Sequence, residues 1–168
     1  KYLIPNANIP YWNTLDFNDE NWDSGQSGFG YGDNDDETEI PFGTISVYLR
    51  KEFSISDVSL MQGLILDIDY DDGFVAYING VEIARANVNG SPPNYNTTTP
   101  AEHEASIYGG GIPNRFAIDN PQDFLVNGEN ILSIQVHNIS DESSDLTIIP
   151  FLSAIYSDLT DEGIIPPE

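Results

Sequence analysis

The chain has 168 residues, 39% hydrophobic and 11% aromatic, enough apolar surface for one packed domain and too much for a disordered chain. Twenty-eight acidic residues against five basic ones give a formal net charge of −23, so a nucleic-acid backbone or an anionic lipid surface is repelled and cations are attracted. With no cysteine there can be no disulfide, thiolate metal site or cysteine nucleophile, and no apolar run approaches the roughly 18 residues a membrane-spanning helix needs.

Strand and turn signals run almost throughout, and no window of a dozen residues keeps a helical period. Residues 45–53 alternate, with Ile45, Val47 and Leu49 on one face and Tyr48 and Arg50 on the other. Residues 64–70 do the same: Leu64, Leu66, Ile68 and Tyr70 point one way, Ile65, Asp67 and Asp69 the other. Between Phe74 and Arg85 two apolar-rich runs flank Asn79-Gly80, the dipeptide a two-residue type I′ hairpin requires because both central residues take positive φ. Residues 87–111 then form a long loop with Pro92-Pro93, three threonines and a triple glycine; a loop of this length in a compact domain carries function or is disordered. Asn127-Gly128 marks a turn before a strand over 130–136, and a last strand covers 146–156. Many short strands with Gly- and Pro-rich turns predict a β-sandwich over residues 1–157. Residues 158–168, with Pro166-Pro167, read as the start of an extended linker.

Two acidic clusters stand out. Asp33, Asp35 and Asp36 follow a Gly-rich run, and Asp71 and Asp72 end a strand that also carries Asp67 and Asp69. Calcium takes six to eight oxygens from carboxylates, amides and carbonyls, and acids at a turn deliver several at once, with Asp145 able to join from the far end of the chain. Neither cluster has EF-hand spacing. The alternatives are a solvated loop for the first and, for the second, a tight turn whose Asp side chains bond neighbouring backbone amides.

Aromatic rings form a second constellation, because sugars are recognised by stacking on ring faces while amides, carboxylates and Arg bond the hydroxyls. Trp12, Tyr31, Tyr95, Tyr108 and Arg115 are the candidates. Trp22 reads as a core plug, His137 as a hydrogen-bonded structural residue and His103 as an exposed loop residue. No nucleophile elbow, zinc-protease helix or phosphate loop is present, and 28 acids make carboxylate pairs uninformative, so no catalytic residue is assigned.

Three stretches together resemble a jelly-roll module of the galactose-binding-like superfamily, similar to the sugar-binding domain of family 2 glycosidases. They are Trp12 with Asp16–Trp22 and Gly28–Asp33; Val47–Phe53 with Asp71–Arg85; and Asn127–Asn130 with Val136–Asn138 and Ser143–Leu146. Asn18 and Asn21 depart from the usual form of the first motif. The resemblance implies an all-β, galactose-binding-domain-like jelly roll. Members of that superfamily serve as carbohydrate-binding, calcium-binding, adhesive or architectural modules. Together with the aromatic and acidic clusters this gives the expectation of a non-catalytic, carbohydrate-binding accessory module of a secreted or cell-surface protein, with structural calcium, a polysaccharide or glycan as ligand and parent-protein domains in cis. A structural spacer or adhesion module without a small ligand is the other expectation.

Overall fold

A computed structural model of the chain describes residues 1–32 and 36–157. Its strands are β1 (Tyr2–Leu3), β2 (Phe29–Tyr31), β3 (Thr38–Glu39), β4 (Ser46–Ile55) and β5 (Met61–Asp71), followed by β6 (Gly73–Ile78), β7 (Val81–Ala86), β8 (Asn114–Ile118), β9 (Gly128–His137) and β10 (Leu146–Tyr156). They form two five-stranded sheets: sheet A in the order β1-β4-β9-β6-β7 and sheet B in the order β3-β2-β10-β5-β8. Helix among the described residues is limited to three single 3₁₀ turns, and none is long and apolar enough to cross a membrane. The expected all-β sandwich is therefore what the chain adopts. The expected linker over 158–168 lies outside the described residues.

Alternation decides which side chains meet between the sheets. Val47 and Leu49 from β4, Leu64, Leu66 and Ile68 from β5, Phe74, Ala76 and Ile78 from β6, Ile134 and Val136 from β9, and Leu146 and Ile148 from β10 are all buried in one cluster. The Asn79-Gly80 hairpin forms as expected, with φ of 50° and 86°, and joins β6 to β7. Asn79 also ties the turn to the next strand, accepting from the Ile131 amide at 2.9 Å and donating to Asn130 Oδ1 at 2.7 Å.

Sheet A carries a second layer on its outer face. Trp12, Trp22, Tyr48, Val75, Tyr77 and Val88 are buried there as a separate cluster, with Ile9, Phe17 and Tyr95 packed against it. Trp12 lies on Tyr48 with ring centroids 4.3 Å apart. Arg50, buried on this face, clasps the covering segment: its guanidinium meets Asp19 Oδ2 at 2.6 Å and donates to the carbonyls of Trp12, Thr14 and Phe17. Burial raises the hydroxyl pKa values of Tyr48 and Tyr77 to about 12.

One flank of the sandwich stays open. Among the described residues, β1 with Lys1 covers β4 only at Tyr48, Leu49 and Arg50, and β2 covers β10 only at its first three residues, so the remainder of β4 and of β10 shows a neighbour on one side alone. Between these half-free edges lies an apolar cleft of about 650 Å³, walled by Phe53 and Ile55 on one side and Pro150 and Leu152 on the other. Lys51 occupies a core-facing position of β4, between Leu49 and Phe53, and is nevertheless exposed at the cleft rim.

Candidate functional site

The acids of β5 separate by role. Asp67 forms a two-point pair with Arg115 across the β5–β8 register, at 2.7 and 2.9 Å, which holds the Asp67 carboxyl below its ordinary range. Asp69 clamps the long loop by accepting from the amides of Ser106 and Ile107 and from the Ser106 hydroxyl. Asp72 accepts from the His103 amide at 2.8 Å and the Ile139 amide at 2.7 Å, pinning two loops that meet at this end of the sandwich. Asp72 thus bonds backbone amides that belong to segments remote in sequence.

Asp71 does something else. A carboxylate oxygen of Asp71, one of Glu104 and one of Asp145 all lie within 4.8 Å of one another, brought from the end of β5, the long loop and the residue before β10. Two oxygens bound to one calcium at about 2.3–2.6 Å can be no farther apart than about 5 Å, so the spacing fits a shared hard cation. An all-carboxylate donor set selects calcium or magnesium over softer metals. Glu104 titrates above its ordinary value, first through partial desolvation and then through the negative charges of Asp145 and Asp72. The Asp36 carboxylate lies against Gly30 of β2. A Cβ on Gly30 would run into it, and Gly30 shares a cross-strand row with Thr147 and Asp71. Asp33 and Asp35 lie outside the described residues.

Glu104 carried no sequence signal, since it sits in a loop with no alternation. The scaffold around the centre comes from β2 and the segment after β9. Asn138 Nδ2 donates to the Tyr31 hydroxyl and to the Asp145 carbonyl, both at 3.0 Å, and the Tyr31 hydroxyl donates to the Ser143 carbonyl. Tyr31 is 7% exposed and part of the core, so it braces the acidic centre and has no open ring face for a sugar. Burial raises its pKa, with Asp145 and Asp71 adding to the shift. His103 also departs from expectation: it is half-buried, with its ring stacked 4.0 Å above Tyr70 and Nδ1 bonded to the Tyr70 carbonyl.

The remaining sugar candidates fall in two places. Tyr108 and Arg115 sit at the β8 edge of sheet B, 56% and 67% exposed, with the Arg115 guanidinium already committed to Asp67. Trp12 and Tyr95 belong to the outer layer of sheet A. Trp12 is only 6% exposed and stacked against Tyr48, so it serves as a wall and not as a free platform. The wall is nonetheless part of a cavity of about 240 Å³, where the turn around Tyr11 and Trp12 meets the Pro92–Asn94 loop over Tyr48. Tyr95 adjoins it, with its amide donating to Asn8 and its carbonyl accepting from Ser46. His137 is fully buried beneath the loop, its Nδ1 2.7 Å from the Thr97 carbonyl. Trp22 is a buried plug, as expected.

No family model and no curated protein matches the sequence. Solved structures do match the fold. A β-glucuronidase from glycoside hydrolase family 2 aligns with a TM-score of 0.50 and 18% identity, covering 82% of this chain and 13% of its own. A calcium-binding mutant of Bacteroides uniformis β-glucuronidase 2 aligns with a TM-score of 0.50 and 13% identity, covering 89% of this chain and 17% of its own. The resemblance carried by the sequence motifs therefore holds at the level of the fold, and the chain spans less than a fifth of either glycosidase.

Proposed function

We propose that the chain is a non-catalytic carbohydrate-binding module of a larger extracellular or cell-surface protein, with one end stapled by calcium. The observation that carries the reading is the aromatic- and amide-lined cavity where Trp12 meets the Pro92–Asn94 loop, set on a rigid sheet. Aromatic rings and carboxamides are the groups that recognise sugar C–H faces and hydroxyls. The small share of each glycosidase that this fold represents supports a module working beside other domains in cis. So do Phe151 and Ile155, about half exposed on the outer face of sheet B, which suit a neighbouring domain.

Calcium would be held by Asp71, Glu104 and Asp145, joining the end of β5, the long loop and the start of β10. Its charge would offset three carboxylates crowded together in a protein of net charge −23. The test is a polysaccharide and glycan binding screen run in calcium and again in EDTA. Binding in either condition supports a carbohydrate-binding module, and loss in EDTA ties the acidic centre to it. A folded protein that binds no glycan in either condition is a spacer or adhesion module instead.

A further inference from the structure

We infer that the cavity between the Tyr11–Trp12 turn and the Pro92–Asn94 loop takes one uncharged sugar ring, and that the exposed Tyr11 side chain is its stacking platform. This deepens the carbohydrate-binding reading and rests on it. Three observations converge: the chemistry of the lining, the size of the space and the backbone of Tyr11.

None of the residues lining the cavity is charged. Asn8, Asn13, Asn94 and Tyr48 are among its polar residues, and Trp12, Pro92 and Pro93 among its apolar ones. In a chain of net charge −23 an uncharged patch is a chemical choice, and it leaves a uronate, sulfate or phosphate with no cation to meet. The two guanidiniums bonded to segments flanking the cavity are both engaged: that of Arg50, which is buried, with Asp19 and the carbonyls of Trp12, Thr14 and Phe17, and that of Arg85 with Glu82 and the carbonyls of Val88 and Gly90. The volume, about 240 Å³, equals that of about eight waters and falls below the roughly 300–1,000 Å³ of drug-sized sites. A terminal monosaccharide ring fits that space; a chain of several rings does not.

Tyr11 is 78% exposed and holds a φ of 60°, in the left-handed region that β-carbon sterics disfavour. Its carbonyl accepts from the Thr14 amide and hydroxyl, so the turn needs this backbone shape. Glycine or asparagine would supply the shape with less strain. With the residue 78% exposed, packing offsets little of that cost, and Tyr11 is one of the residues that line the cavity.

The opposite wall is held in place. Asn8 Nδ2 donates to Asn94 Oδ1 at 2.8 Å, Tyr95 donates its amide to Asn8 Oδ1 at 2.8 Å, and the amide of Thr97 donates to the Asn94 carbonyl at 3.0 Å. The site is thus largely formed before any ligand arrives, which spares the ordering cost of binding.

The test titrates the whole chain with methyl glycosides of glucose, galactose, mannose, fucose and rhamnose, and with glucuronate and galacturonate as the charged counterparts. Binding is followed by saturation-transfer NMR and tryptophan fluorescence, and a polysaccharide pull-down runs alongside. At least one neutral glycoside should bind ten-fold or more tightly than either uronate, and the preference should persist in 0.5 M salt. Tyr11→Gly, which keeps the turn and removes the ring, should weaken binding ten-fold or more while leaving the melting temperature equal or higher. Uronates binding as well as neutral sugars would overturn the inference and leave the carbohydrate reading standing. So would full binding by Tyr11→Gly. Absence of any glycan binding by the folded wild-type chain, in glycoside titration and pull-down alike, would overturn both.

Discussion

Lowering the pH should destabilise this protein through one side chain, His137. Its ring is fully buried under the Pro92–Thr97 loop, and desolvation lowers its pKa from 6.5 to about 4. The Thr97 carbonyl can only accept, so Nδ1 carries the proton, and Nε2 has no hydrogen-bond partner among the described residues. The folded state resists a second proton until about pH 4, whereas the unfolded chain takes one up near 6.5. Between those values the unfolded state binds more protons, so stability falls as pH drops through the window and is flat above it. A gap of about 2.5 units corresponds to about 3 kcal/mol once the pH is well below the folded value, and roughly 2 kcal/mol at pH 5. The assay is urea unfolding at pH 7.5, 6.0, 5.0 and 4.5, monitored by Trp12 and Trp22, for the wild type and for His137→Gln. The variant costs stability at pH 7.5, and its disadvantage should shrink by about 2 kcal/mol on going to pH 5 because it has no imidazole to charge. Parallel curves would refute the reasoning, as would an imidazole NMR titration centred near 6.5 in the folded protein.

Calcium in large excess over its dissociation constant should raise the melting temperature, by the equivalent of about 2.7 kcal/mol at a hundred-fold excess. The paired change Glu104→Gln with Asp145→Asn should abolish the response, and identical melting in calcium and EDTA would remove the ion from the acidic centre. Arg50→Met should cost about 3–5 kcal/mol, because Asp19 and three carbonyls lose a buried partner, and limited proteolysis should cut between residues 12 and 22. An uncut, fully stable variant would show that the outer layer is held by its aromatic rings alone. Trp12→Ala should cost about 3–5 kcal/mol by chemical denaturation, since it empties the centre of the outer cluster; a loss under 1 kcal/mol would mean that layer packs loosely.

The long strands were legible because alternation and turn chemistry agree. β10 runs from Leu146 to Tyr156 as expected, and the Asn79-Gly80 hairpin needs no tertiary information. The short strands were not, because two or three residues carry no period and Gly30 within β2 reads as loop. The outer layer was misleading in a different way. Arg50, Ser133, Gln135 and His137 mark one face of β4 and β9 as polar, yet all four are buried beneath the aromatic segment. Trp12 stands among the sugar candidates for this reason, although Tyr48, Val75 and Tyr77 on that same sheet face hint at a cover. In the acidic centre, Asp71 and Asp145 are legible from the sequence as acids of a cluster and of a turn, whereas Glu104 is one acid in a long loop with no alternation to mark where its side chain goes.

Lys51 has a consequence for how such domains behave when crowded. Among the described residues, the half-free edges of β4 and β10 lie without a second partner strand beside an apolar cleft, which is the arrangement that lets one chain extend the sheet of another. An incoming strand that closed over this cleft would have to strip water from an ammonium group set among Leu49 and Phe53, a penalty of several kcal/mol with no carboxylate lining the cleft to offset it. The lysine thus stands as a sentry against polymerisation, opposing the fusion of two copies edge to edge.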